Sequence, residues 1–377
     1  MSTATLADAI RESGITRTPF RISGRSNWLD AGRPVHGGKD LSLRDDTGVV
    51  SYVPGDLTLT VRAGTTLGEI ERATLEHDQW LPLDPYGASE GTIGATIATA
   101  SAGPLASGFG LPRDLLLGLE FVNGLGEIVR AGGKVVKNVA GFDLSRLLTG
   151  SWGTLGVITE VTLRLYARPR ADRTFVVRLR GGQATSLANA AYTSLSPYAL
   201  QLVGASAARA LGLGEHAVCL IRLGGNDAVV AEQLIGLSQI ARPEEVDAGI
   251  WSALRGLDVD ADSVVRISNL PAQFLGASAR ILSDDLPGVY TYIDPRRGVM
   301  RIVVGANGGG RDDASAVPDT SIEFGTDGSG SSEVIFEKLP PDVWAHVSPS
   351  VVADPLSRGI KRAFDPYGIL NPGILGD

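Results

Sequence analysis

The sequence of 377 residues is poor in metal-binding and redox-active side chains, with one cysteine, Cys219, and four histidines. A single cysteine excludes a disulfide within the chain, and it cannot by itself ligate an iron–sulfur cluster. The histidines, His36, His77, His216 and His346, are too far apart in the sequence to form a local ligand pair. The sequence therefore predicts no metal site, and His36 and His77 are expected at the surface.

Long apolar runs and an excess of positive charge are also missing. No stretch of eighteen apolar residues occurs, so no transmembrane helix is expected. The N-terminus MSTATLADAIRESG lacks the basic and apolar segments of a secretory signal. Lys and Arg number 34 against 42 Asp and Glu, a net charge of −8, which argues against nucleic acid as a partner. The cytoplasm is the expected location.

The length predicts two domains, and the first 170 residues carry mainly strand patterns. Residues 3–14 indicate a helix that stops at Gly14, and Thr65 or Thr66 is expected to cap a helix that ends at Leu75. Strands are expected at Phe20–Ile22, Leu41–Leu43, Val49–Val53, Leu57–Val61, Leu117–Val122, Glu127–Arg130 and Val157–Tyr166.

The segment from about residue 172 to residue 345 indicates a separate α+β domain. Strands are expected at Thr174–Leu179, Ala199–Val203, Ala217–Leu223, Val264–Ser268, Val289–Ile293, Val299–Val304 and Glu333–Glu337. Helices are expected at Gln183–Ser194, Asp227–Ile240 and Pro271–Leu282, and a loop rich in Gly, Asp and Ser at Asn307–Gly330. This order suits an antiparallel sheet with helices on one face.

The stretch Pro82–Gly103, PLDPYGASEGTIGATIATASAG, consists almost entirely of small side chains and has no amphipathic period. Glycines allow a backbone to come close to a ligand, and successive N–H groups can converge on an anion. A phosphate or diphosphate fits that description. A tight turn followed by a short, buried, alanine-rich helix is an equally good interpretation of the stretch alone. The strand at Phe20 runs into a second candidate phosphate loop, Ser23–Trp28, with sequence SGRSNW.

Four blocks in residues 20–168 resemble the FAD-binding domain of the vanillyl-alcohol-oxidase/p-cresol-methylhydroxylase family. They are SGRSN, DLTLTVRAGTTLGEI, LPLDP through TIGATIATASAG, and GGKVVKNVAGFDLSRLLTGSWGTLGVITEVTLRL. Within the family, the last block is similar to the FAD-binding E subunits of bacterial glycolate oxidases. The tail Phe364–Gly373 resembles the family's closing flavin-contact motif. The resemblance implies an α+β fold with an FAD-binding domain at residues 1–170, a smaller α+β cap domain at 171–345, and a C-terminal return to the FAD domain at 346–377.

The resemblance also assigns residues to FAD. The loops Ser23–Trp28 and Gly91–Ala95 would hold the pyrophosphate from two sides. Val157 and Ile158 would meet the cofactor through their backbone, although a buried sheet core suits them equally. The family usually has glycine where this chain has Ala95. The expected FAD-binding residues are Ser23, Gly24, Arg25, Ser26, Asn27, Trp28, Pro82, Gly91, Thr92, Gly94, Ala95, Thr96, Ser101, Gly103, Val157, Ile158 and Asn371.

Many members of the family attach FAD covalently, through a histidine in the first loop or a cysteine further on. SGRSN contains no histidine and Cys219 lies in the middle segment, so non-covalent FAD is expected. The resemblance implies a subunit that takes part in oxidation of glycolate, a small 2-hydroxy acid, to the 2-oxo acid. Its implied partners are a larger FAD-binding subunit and an iron–sulfur subunit, and that complex would be its route to the membrane surface.

Two alternative functions stay open. One is a self-sufficient FAD oxidoreductase for another small hydroxy acid or alcohol, and the other is a mainly structural assembly subunit. The absence of the histidine pair that the family's hydroxy-acid dehydrogenases use weighs against the first, and the two matched phosphate loops weigh against the second. No catalytic residue is identified. If the chain acts alone, His216, His346, Arg255 and Arg301 are candidates for the base or the carboxylate anchor.

Overall fold

The computed structural model describes residues 2–28, 30–87, 90–133, 143–180, 182–274, 282, 286–305, 333–347 and 355–376. The chain forms two compact units, of which the first contains residues 1–102, 110–168 and 345–377 and the second contains 103–109 and 169–344. Residues 103–109, which the sequence places in the first domain, thus lie in the second unit. The stretch Lys134–Phe142, most of the helix expected at Pro271–Leu282 and the loop Asn307–Gly330 lie outside the described residues.

The helices and the strands are each numbered in chain order. The helices are α1 (Thr3–Thr16), α2 (Leu67–Leu75), α3 (Ile93–Thr99), α4 (Ala106–Phe109), α5 (Pro112–Leu115), α6 (Leu144–Leu148), α7 (Gln183–Thr193), α8 (Ala205–Ala210), α9 (Asp227–Ile240), α10 (Ile250–Gly256), α11 (Pro341–Trp344) and α12 (Pro355–Phe364). The strands are β1 (Phe20–Ser23), β2 (Lys39–Ser42), β3 (Val49–Val53), β4 (Thr58–Arg62), β5 (Gln79–Trp80), β6 (Leu116–Val122), β7 (Ile128–Gly132), β8 (Val157–Arg164), β9 (Tyr166–Ala167), β10 (Ala171–Arg178), β11 (Ala199–Val203), β12 (Val218–Gly225), β13 (Glu244–Val246), β14 (Ala261–Ser268), β15 (Val289–Asp294), β16 (Val299–Gly305) and β17 (Glu333–Lys338).

An antiparallel sheet of order β3-β4-β8-β6-β7 forms the centre of the first unit. Its core joins Leu59 and Val61 of β4 and Val161 of β8 to Ile93 and Ile97 of α3, all of them fully buried. Burial of these side chains fixes α3 against the sheet. A separate parallel pair, β1 and β2, lies in the same unit.

The ends of two helices test the sequence rules for capping. Thr66 is the N-cap of α2, as expected: its hydroxyl accepts the Glu69 N–H at 3.1 Å, while Glu69 accepts the Thr66 N–H at 2.7 Å. That bond from the Thr66 backbone holds the pKa of Glu69 below its ordinary value. The expected stop at Gly14 is wrong, because α1 continues to Thr16. A Cβ at Gly14 would lie 2.6 Å from the Tyr367 ring, so this glycine provides packing space inside the helix.

The second unit is built on an antiparallel sheet of order β13-β10-β12-β11-β15-β16-β14-β17. One face packs under α7 and α9, and its core includes Phe175, Cys219 and Ile221. The sequence predicted helices on one face only, and this prediction is wrong, because α10 packs on the other face. Trp251 of α10 donates its indole N–H to the Thr174 hydroxyl at 2.9 Å, and Thr174 points away from the side of Phe175.

A buried ionic network lies on the same face of this sheet as Thr174. Arg301 donates one hydrogen bond to Glu337 at 2.6 Å and another to Asp258, and it is 4% exposed. The Tyr292 hydroxyl donates to Asp258 at 2.5 Å, and Arg266 pairs with Glu337 at 2.9 Å. Burial raises the pKa of Asp258, while the charge of Arg301 and the hydrogen bond from Tyr292 act in the opposite direction and stabilise the carboxylate.

We predict that Arg301→Met lowers the free energy of unfolding by about 3–5 kcal/mol, because it leaves buried carboxylates without their cation. Urea denaturation of the purified chain measures this change. Arg178→Met is a matched control, since Arg178 lies in the same sheet and pairs with Glu244 where both side chains are more than half exposed. The control should change stability little. Equal effects of the two substitutions would show that the buried network is not a stability determinant.

Candidate functional site

A cleft in the first unit lies where the end of β1, the start of α3, the loop of residues 150–156 and the C-terminal tail come together. Arg21 and Ile22 of β1 and Trp152 of the loop line it, and Asn371 and Ile374 line it from the tail. The cleft thus joins segments that are hundreds of residues apart in the sequence.

Most of the residues expected to bind FAD line this cleft. They are Ser23, Gly24, Arg25, Ser26, Asn27, Trp28, Gly91, Thr92, Gly94, Ala95, Thr96, Ser101, Ile158 and Asn371. Pro82, Gly103 and Val157 do not line it, and Gly103 lies in the second unit. Val157 and Ile158 are neighbours on a strand and point to opposite faces, which explains why only Ile158 reaches the cleft.

The first loop presents free hydrogen-bond donors to the cleft. Within the described part of the chain, the backbone N–H groups of Gly24, Arg25, Ser26 and Asn27 have no hydrogen-bond partner. Ser26 has φ 62°, a left-handed conformation that turns successive N–H groups toward one side. This loop can therefore solvate an anion with its backbone.

In the second stretch, the first turn of α3 uses its N–H groups inside the protein. The N–H of Ile93 donates to Thr65 O at 2.9 Å and that of Gly94 to Ala63 O at 2.8 Å. The Ala95 N–H donates to the hydroxyl of Thr92, the N-cap of α3, and the Thr96 N–H donates to Thr92 O. The short helix proposed as an alternative is therefore present, and its first-turn N–H groups are used within the protein. The N–H groups of Gly91 and Thr92, just before the helix, have no partner among the described residues. Ala95 is exposed, so its methyl group meets no crowding.

Two glycines let the walls of the cleft approach each other. A Cβ at Gly24 would lie 2.3 Å from the Thr92 hydroxyl oxygen. A Cβ at Gly94 would lie 2.6 Å from Ala63 Cβ and 2.9 Å from Ala63 O. Both glycines are thus required by contacts within the protein. Close approach to a ligand, which the sequence suggested as their purpose, is not needed to explain them.

The cleft is lined by positive charge only. Arg21, Arg25 and Arg33 line it, and its described lining contains no Asp, Glu or Lys. Arg33 donates to Val347 O at 2.8 Å, and Arg25 makes a long contact of 3.3 Å with Glu90, whose side chain is 69% exposed. In a chain of net charge −8, three arginines without a lining carboxylate create a local preference for an anion.

Two other features bear on what the cleft can hold. The indole N–H of Trp28 is buried without a hydrogen-bond partner in the described structure, so a ligand acceptor could satisfy it. The Asn371 side chain, in contrast, is used internally: it accepts the Ile22 N–H at 2.7 Å and donates to Trp152 O at 2.8 Å. The Asn371 side chain thus connects β1 to the loop of Trp152 by two hydrogen bonds.

Several lining residues had no usable signal in the sequence. Ala31, Arg33 and Val35 are single positions outside the loops and blocks that the sequence singles out, and folding alone brings them to the cleft. The lining residues not expected are Arg21, Ile22, Ala31, Arg33, Val35, Leu43, Ala63, Pro85, Tyr86, Ala98, Thr99, Trp152, Gly153, Gly156 and Ile374. The blocks that carry the family resemblance were the one signal available, and they contain Ala63, Pro85, Tyr86, Ala98, Thr99, Trp152, Gly153 and Gly156.

The candidate catalytic residues stay unassigned. All four histidines are exposed, which confirms the expectation for His36 and His77. The described residues contain no group of His, Cys, Asp or Glu arranged to hold a metal ion.

No helix in the described ranges is long and apolar enough to cross a membrane.

Comparison with known proteins places this geometry in a family. A family model described as an FAD binding domain matches residues 1–132. Glycolate oxidase subunit GlcE of Escherichia coli is 36% identical over 253 residues, which cover 66% of this chain and 67% of that protein. Glycolate oxidase subunit GlcD of Bacillus subtilis is 36% identical over 161 residues, or 42% of this chain and 34% of that one.

The fold also matches a solved structure. The structure of p-cresol methylhydroxylase with substrate bound superimposes with a TM-score of 0.74 and 15% identity, covering the whole of this chain and 87% of the other. The free N–H groups of the first loop and the three arginines suit the diphosphate of FAD. The chain therefore belongs to the family of FAD-linked oxidoreductases with the vanillyl-alcohol-oxidase/p-cresol-methylhydroxylase type of FAD-binding domain, the family that includes glycolate oxidase subunit GlcE.

Proposed function

We propose that the chain binds FAD non-covalently in this cleft and takes part in oxidation of glycolate, a small 2-hydroxy acid, as one subunit of a complex. The observation that carries the FAD site is a cleft lined by Arg21, Arg25 and Arg33, without a lining carboxylate in the described residues, next to a loop with free N–H groups. The substrate class rests on the similarity to glycolate oxidase subunits.

The two walls of the cleft would divide the work of holding the cofactor. The N–H groups of Gly24–Asn27 would bind the diphosphate, with Arg25 adding charge. Thr92 and Gly94 would keep α3 in place as the opposite wall, because their contacts with Gly24 and Ala63 set the spacing. When bound, the flavin supplies the two-electron acceptor for oxidation of a CH–OH group. Ile158, Trp152 and Ser101 would shape the wall of the cleft and exclude water from it.

The proposed complex follows from the two relatives, both named as subunits of glycolate oxidase. A larger FAD-binding subunit and an iron–sulfur subunit are the proposed partners. This chain has a single cysteine, so any iron–sulfur cluster must be ligated mainly by another chain. A cytoplasmic location, with the complex as the link to any membrane, stays a prediction.

We predict that the isolated, FAD-loaded chain oxidises glycolate poorly or not at all and gains activity with its partner subunits. The described residues offer no buried histidine as a base, and Arg301 is already held by Asp258 and Glu337. Anaerobic mixing with excess glycolate, followed by bleaching of the flavin absorbance, measures the reaction. D-Lactate in place of glycolate tests the substrate class.

Full reduction of the lone chain at a working rate, roughly 1–10³ s⁻¹, would contradict the subunit proposal and favour a self-sufficient oxidase. If the assembled complex bleaches with D-lactate but not with glycolate, glycolate is the wrong substrate while hydroxy-acid oxidation stands. An assembled complex that bleaches with neither acid would leave the assembly role as the better interpretation.

We predict that acid precipitation of the FAD-loaded chain releases all its flavin into the supernatant. The first loop lacks a histidine, and Cys219 is fully buried in the second unit. Burial raises the pKa of the Cys219 thiol, which suppresses the thiolate needed for attachment. A yellow protein pellet after acid treatment would show that the flavin is covalently bound.

We predict that Gly24→Ala weakens FAD binding by about 5- to 150-fold, since overpacking costs about 1–3 kcal/mol and here moves the phosphate loop. The added Cβ would meet the Thr92 hydroxyl at 2.3 Å. The dissociation constant of FAD, measured by quenching of flavin fluorescence, reports the effect.

A second substitution tests the cause of that loss. Adding Thr92→Ala removes the hydroxyl that the new Cβ meets, so the double variant should bind FAD more tightly than Gly24→Ala alone, despite the lost helix cap. Gly68→Ala is the control, because a Cβ there meets nothing within 4 Å. Unchanged FAD affinity in Gly24→Ala would mean that the loop can shift without consequence for the site.

A further inference from the structure

The C-terminal tail pairs with β1 through one isolated β-bridge. Phe20 pairs in parallel with Leu370, while β1 pairs in parallel with β2 on its other edge. The Phe20 N–H donates to Ile369 O at 2.7 Å, and the Asn371 N–H donates to Phe20 O at 3.0 Å. Because β1 runs directly into Gly24, the tail holds the strand that carries the phosphate loop.

The phosphate loop has few bonds of its own. Its N–H groups at Gly24–Asn27 lack partners among the described residues. It makes long side-chain contacts, such as Ser26 to Ser23 at 3.4 Å, and Gly24 O accepts one short bond from the Ser42 hydroxyl of β2 at 2.9 Å. The loop's position is therefore set largely by the strand that enters it, together with the contacts of Gly24 with Ser42 and Thr92. Anything that fixes β1 also fixes the donors that the loop presents.

A buried carboxylate fixes the tail. Asp365 is 2% exposed and accepts the N–H groups of Ile369 at 3.1 Å and Leu370 at 3.0 Å. Lys361 donates to the same carboxylate at 3.0 Å and to Thr154 O at 2.9 Å. We call Lys361 and Asp365 the tail clip. It connects the tail to the loop that contains Trp152.

The surroundings of the clip leave no room for adjustment. A Cβ at Gly124 would lie 2.5 Å from the Asp365 carboxylate oxygen, and the Gly124 N–H donates to Phe364 O at 2.7 Å. Tyr367, two residues after Asp365, lies against Gly14, and the Arg17 guanidinium stands 4.4 Å from its ring centre. The tail is thus held at several points, and the carboxylate is the one that directly bonds the residues pairing with β1.

We infer that Asp365 is a positioning residue for FAD: through Ile369 and Leu370 it sets β1, and through β1 it sets the donors of the phosphate loop. Asp365 does not line the cleft, so it acts without touching the cofactor. The inference rests on the proposed FAD site.

The test compares the variants Asp365→Asn and Lys361→Met with the unsubstituted chain by two measurements. The first is the dissociation constant of FAD, which should rise between about 2- and 30-fold in each variant. The second is hydrogen–deuterium exchange of the flavin-free chain, in which peptides covering residues 18–28 should exchange faster. Because both residues act through one clip, the double variant should bind FAD about as weakly as the weaker single variant, without additive loss.

The control is Asp8→Asn, an aspartate of the same unit whose exposed side chain pairs with Arg11. It should change neither measurement. Unchanged FAD affinity and unchanged exchange at residues 18–28 in Asp365→Asn would overturn the inference, and so would a uniform rise of exchange throughout the first unit. If the unsubstituted chain fails to bind FAD, the proposed function is wrong, and faster exchange confined to residues 18–28 would still support the link from clip to loop.

Discussion

The candidate site depends on two close contacts that only glycine allows, because a Cβ atom at either position would clash with the opposite segment. Gly24 lies against the Thr92 side chain and Gly94 lies against Ala63, so that the end of β1, the start of α3 and the end of β4 pack closely. The N–H groups of α3 are consumed in that packing, whereas those of the opposite loop stay free. The first turn of α3 therefore adds little hydrogen-bonding capacity to the cleft, and the loop Gly24–Asn27 supplies most of the free N–H groups for an anion.

The net charge of the chain and the charge that lines the cleft have opposite signs. The chain is acidic, with a net charge of −8, yet the described lining of the cleft has arginines and no carboxylate. A net charge describes association and solubility, while a ligand responds to the few charges within a Debye length. Composition therefore argues against a polyanion as partner but says nothing against one diphosphate held in an arginine-lined cleft.

Much of the fold was predictable where one element carries its own pattern. Val49–Val53, Ala199–Val203 and Asp227–Ile240 have the bounds that the sequence indicates, because alternation or capping is local information. The position of the loop Ser23–Trp28 directly after β1 was predictable for the same reason. Ala31 and Arg33 were not, since each enters the cleft as a single residue from a segment with another local purpose. Gly14 was misread as a helix stop because its partner, Tyr367, is more than 350 residues away.

Backbone strain explains why the site needs support from a distance. Ser26, Trp152 and Asn371 all line the cleft with φ between 45° and 62°, and left-handed residues other than glycine cost of order 1–3 kcal/mol each. Asn371 bonds β1 on one side and Trp152 O on the other, so it connects two strained segments through one amide. A local sequence cannot hold such conformations alone. The tail, fastened by a buried carboxylate, supplies the additional bonds, and the chain therefore has to return to its first strand before the cleft can take its shape.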